Sequence, residues 1–88
     1  MDFNNSSHMK FLYTMEYLVR FSDKDHPAVA NDIIAYAAEH GIQLERKAIY
    51  RAIIFLNEFG VNIRSTGQVF YYIPSEGDIF HAFTNGKL

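Results

Sequence analysis

The chain has no cysteine among its 88 residues, so disulfides and thiolate metal sites are excluded and stability rests on packing. No apolar run approaches the roughly 18 residues of a membrane span. The N-terminus lacks a basic stretch leading into an apolar segment, the layout of a secretory signal, so the expected location is the cytoplasm. Positive charge is not in excess. Ten acidic residues against eight basic ones leave a net charge of −2 and a pI near 6.0, whereas phosphate neutralisation usually leaves a basic footprint. The four histidines, at 8, 26, 40 and 81, include no pair at the i, i+4 spacing of helical metal ligands, so no metal is expected. There is no glycine-rich phosphate loop, no convergent carboxylate pair and no Ser or Thr in a nucleophile setting. The expectation is a non-enzyme without a cofactor.

What is present is a core. The chain is 49% hydrophobic and 16% aromatic, the composition of a folded domain, and its length suits one small domain. Residues 1–9 are polar and aperiodic and are expected to form a flexible leader. From Lys10 to Phe21 the spacing of Phe11, Met15, Leu18 and Val19, with Leu12 alongside, predicts a helix. Tyr13, Tyr17 and Phe21 form a second stripe, also expected in the core. A charged loop ends at Pro27. Residues 29–40 read as a second helix that buries Ile33, Ile34, Ala37 and Ala38 and stops at Gly41. A third helix is predicted over residues 45–59, before Gly60.

After Gly60 the period shortens to two. Val61, Ile63 and Ser65 alternate with polar residues, Val69, Tyr71 and Ile73 alternate with Phe70 and Tyr72, and Ser65-Thr66-Gly67-Gln68 reads as the turn of a hairpin. Pro74 ends it, and Ser75 with Asp78 three residues on is placed to cap a short helix running to about Phe83. The expected class is α+β. Three helices followed by a hairpin is the winged helix-turn-helix arrangement, here over residues 10–74 with a C-terminal helical extension at 75–88.

At this point the chain resembles a known family. The stretch from Lys10 to Ile73 is similar to the N-terminal winged helix of bacterial WYL-domain transcriptional regulators, related to the DeoR-type helix-turn-helix. The resemblance is carried by Lys10-Phe11-Leu12-Tyr13, His26-Pro27, Asp32-Ile33-Ile34 and Glu39-His40-Gly41-Ile42. It continues through Arg46-Lys47-Ala48-Ile49-Tyr50-Arg51 with Leu56 and Gly60, and ends at Tyr71-Tyr72-Ile73. It implies that the third helix enters the DNA major groove and that the wing touches the backbone. The implied DNA contacts are Arg46, Lys47, Tyr50 and Arg51, with Arg64 on the wing. The chain departs from the family where Ala48 replaces a hydroxyl residue, Ala52 an Asp, Ile54 a Glu and Phe55 a small residue. Val29 stands where the second helix usually has a Ser or Thr cap.

Helical geometry sorts the third helix further. At about 100° per residue, Ile49, Ile53 and Leu56 define its core face, with Ala48, Ala52, Phe55 and Phe59 extending the apolar arc on one flank. Lys47, Arg51, Ile54 and Glu58 point outward, and Tyr50 and Asn57 lie on the other flank. Two functions follow as expectations. The first is a stand-alone DNA-binding regulator of bacterial, phage or mobile-element origin. It would bind double-stranded DNA as a homodimer, because single modules seldom give useful affinity and dimers read two half-sites. The second is a protein-binding module on the same fold, an anti-CRISPR-like inhibitor of host machinery. Its interface would include Ile54 and Phe55, joined by Tyr50, with Ile79, Phe80 and Phe83 from the last segment.

Overall fold

The computed structural model describes residues 7–75. Within them the order is α1 (Ser7–Phe21), β1 (Ala28–Val29), α2 (Ala30–Glu39), α3 (Arg46–Glu58), β2 (Asn62–Thr66) and β3 (Val69–Ile73). Three helices pack against a small antiparallel sheet in the order β1-β3-β2, an α+β architecture. The short C-terminal helix expected to run to about Phe83, with Ile79 and Phe80, lies outside the described residues.

α2 and α3 end in the same way, and the sequence dictates how. In each, a glycine follows the cap residue with positive φ, +78° at Gly41 and +94° at Gly60, a conformation that a β-carbon disfavours. After α2, Gly41 N–H donates to Ala38 C=O at 3.0 Å and Ile42 N–H to Ala37 C=O at 2.9 Å. After α3, Gly60 N–H donates to Asn57 C=O at 3.2 Å and Val61 N–H to Leu56 C=O at 2.8 Å. Each is a Schellman stop, and each drops a buried aliphatic residue, Ile42 or Val61, into the core just beyond the glycine. The chain therefore leaves each helix already anchored.

The core gathers Leu18 from α1, Ile33 and Ala37 from α2, and Ile49, Ile53 and Leu56 from α3, closed by Ile63, Phe70 and Tyr72 of the sheet. β2 and β3 pair from Asn62↔Ile73 to Thr66↔Val69, joined by the two-residue loop Gly67-Gln68. Ser65 and Thr66, expected in the turn, belong to β2. The register places Phe70 and Tyr72 on the helix side and Tyr71, opposite Arg64, on the other.

Other expectations change. α1 begins at Ser7, not Lys10, so residues 7–9 of the expected leader belong to the helix, and their single apolar residue, Met9, packs against the core but is too little to show a period. α2 is one residue shorter at each end than 29–40, because Val29 is extended and pairs with Val69 in β1 and His40 has left helical geometry as the C-cap. That strand was not expected, since two residues carry no period. Leu12, read as a companion of the core, is exposed, and so is Ala38, read on the buried face of α2, where only Ala30, Ile33 and Ala37 are buried. The Tyr13, Tyr17 and Phe21 stripe lies beside the core and not in it. It packs with Tyr36 and His40 in a partly exposed aromatic cluster, with centroid separations from 4.8 Å (Tyr13–His40) to 6.1 Å (Tyr13–Tyr36).

Candidate nucleic-acid interface

α3 is held by its buried face, Ile49, Ala52, Ile53 and Leu56, which fixes what its other faces present. Lys47 and Arg51, one helical turn apart, are both exposed and lie about 180° from the centre of the buried face. Neither forms an ion pair among the described residues. Two unpaired cations on one outward row of a rigid helix are suited to accept an anion without breaking an internal contact.

The other predicted contacts fall around this row. Arg46 lies toward α2, where its Nη2 donates to Asn31 Oδ1 at 3.3 Å. Tyr50 turns to the sheet flank, its ring edge-on to Phe70 at 5.8 Å. Arg64 is exposed in mid-strand between buried Ile63 and exposed Ser65, so it lies on the sheet face turned away from the helices. Arg46, Lys47, Tyr50 and Arg51 thus share one helix across two of its flanks, and Arg64 stands apart from them on the sheet.

The apolar residues are placed differently from the expectation. Phe55 and Phe59, read as extending the buried arc, are 58% and 68% exposed, and outward Ile54 is 56% exposed. α1 lies opposite part of that arc. There Phe11 meets Phe55 edge-on at 6.5 Å; Ala52 on the same arc is buried, whereas Phe55 and Phe59 stay more than half exposed. A patch joining Ile54, Phe55 and Tyr50 does not form through Tyr50. The two rings lie about 140° apart around the helix and pack against different elements.

Between the start of α1 and α3 lies a cleft of about 460 Å³. Its apolar lining is Phe11, Phe55, Ala48 and Ala52, of which Ala52 is buried and Phe55 is more than half exposed. Lys10, Lys47 and Arg51 stand at its rim with Glu45, which Lys10 holds at 3.0 Å. Lys10 was absent from the predicted contacts because its proximity to α3 depends on how α1 packs, which spacing along the chain does not encode.

No group of three or more His, Asp or Glu side chains among the described residues is arranged to hold a metal ion. No helix among them is long and apolar enough to cross a membrane. No family model, curated protein or solved structure matches the chain.

Proposed function

We propose that this protein is a DNA-binding transcriptional regulator with a winged-helix fold, α3 entering the major groove and the β2–β3 hairpin serving as the wing. The observation that carries the reading is the outward row of Lys47 and Arg51 on the first two turns of α3, without carboxylate partners among the described residues. Recognition helices read bases mainly from their first turns, and phosphate contacts there set register. The element order supports the same reading, since β1 between α1 and α2 completes the wing's sheet through β3. Asn31 at the start of α2 and Arg46 at the start of α3 meet where two helix N-termini add partial positive charge. The net charge is negative, yet three of the eight basic residues, Arg46, Lys47 and Arg51, gather in the first two turns of α3.

The test is a fluorescence-anisotropy titration against a pool of random duplexes over a salt series. Lys47→Ala and Arg51→Ala should each weaken binding and lower the slope of log K against log salt by about one. Absence of salt-dependent binding to any duplex defeats the reading.

A second reading rests on a separate observation. Ile54, Phe55 and the cap residue Phe59 leave large apolar side chains in water along the distal half and end of α3, a surface suited to a protein partner. In that case Ile54→Asp abolishes retention of a host protein in a pull-down, while Lys47→Ala leaves it intact.

A further inference from the structure

We propose that the cleft between the start of α1 and α3 binds a small flat anion of the aryl carboxylate class. Its volume of about 460 Å³ falls within the range of small-molecule sites, roughly 300–1,000 Å³. Its lining has two parts that no single simple ligand satisfies. The rim carries three cations against one carboxylate, and that carboxylate, Glu45, is taken by Lys10 at 3.0 Å. Lys47 and Arg51 remain, and the guanidinium fork of Arg51 matches a carboxylate in bidentate geometry. The apolar lining is Phe11 and Phe55, with Phe55 more than half exposed, together with Ala48 and Ala52.

Inorganic phosphate would satisfy the cations and leave the phenyl rings wet. A neutral hydrocarbon would cover the rings and leave two cations without a partner. A planar apolar body ending in a carboxylate answers both at once, with its ring against Phe55 and its charge at Arg51 and Lys47. Ala48 and Ala52 are small lining residues, so a larger side chain at either would take up part of the cleft.

This site does not depend on the DNA reading. One consequence does. Lys47 and Arg51 are also the proposed phosphate contacts, so the bound anion would compete with DNA and act as an inhibitory effector.

The experiment titrates the full-length, ¹⁵N-labelled chain with 2-naphthoate, with 2-naphthylmethanol and inorganic phosphate as separate probes. Expected are saturable amide shifts confined to the α1 start and the first half of α3, with an affinity of about 1 mM or tighter. 2-Naphthylmethanol and phosphate should each bind about tenfold more weakly or not at all. Arg51→Gln and Ala48→Leu, both checked for an unchanged fold by their spectra, should each weaken naphthoate about tenfold. Absence of saturation, shifts centred elsewhere, or equal binding of the neutral alcohol overturns the proposal. If naphthoate binds and DNA does not, the cleft stands and the DNA reading falls. If both bind without competing, the effector consequence alone fails.

Discussion

Asn57 joins two elements with one amide. Its Nδ2 donates to Ile53 C=O at 3.1 Å and Ile63 C=O at 3.2 Å, and its Oδ1 accepts from Ile63 N–H at 3.0 Å. The hairpin is thereby hooked to the helix that carries Lys47 and Arg51. Replacing Asn57 with Ala strands polar groups of buried Ile63, so chemical denaturation should show a loss of about 1–3 kcal/mol. Ser22 does similar work across a longer separation. Its hydroxyl donates to Leu18 C=O at 2.6 Å and accepts from Tyr72 N–H at 3.1 Å, and Ser22→Ala should cost a comparable amount by the same measurement. Two phenols give a pH signature. Tyr36 is held above its ordinary value of 10.0 chiefly by donating its hydrogen bond to Glu16, and Tyr17 is raised mainly by desolvation, with the Asp32 charge adding to it. Both shifts favour the phenol over the phenolate, Tyr36 by a bond the phenol donates and Tyr17 by penalising the charge, so the folded state keeps its full stability below pH 10 and loses it as pH rises through the folded values. Phenolate absorbance should show a late-titrating fraction of the six tyrosines, and Tyr36→Phe should reduce it.

At the scale of elements, much was legible where the signal is local. The three helices, both glycine stops and the hairpin follow from periods and from residues with special backbone freedom. The outward placement of Lys47 and Arg51 followed from helical angle alone. What was not legible depends on which element lies opposite. Phe55 sits on the apolar arc, yet whether it is covered is decided by α1, which meets it edge-on through Phe11, and the cleft is set by how the start of α1 lies against α3. The two-residue β1 is defined by its partner β3 and has no pattern of its own. Its last residue, Val29, also caps α2 in an extended conformation (φ −107°, ψ 164°) with no side-chain bond to give. Asp32 already reaches back, its Oδ2 accepting from Val29 N–H at 3.0 Å. Val29→Thr keeps the β-branch that suits the strand and supplies the missing hydroxyl. It should stabilise the protein by about 0.5–1 kcal/mol, read as a higher denaturation midpoint at unchanged slope.

For the whole molecule, β3 is the middle strand, although it comes last among the described elements. Ala28 pairs with Phe70, and Tyr72 donates to Ser22, so the first third of the chain is completed by residues near 70. A nascent chain therefore cannot close its sheet until residue 73 has cleared the ribosome, and until then its three helices lack the aromatic lid of Phe70 and Tyr72. Contacts of such long sequence separation slow folding. A chain released after Gly60 should accordingly melt without a cooperative transition, however well its helices are capped.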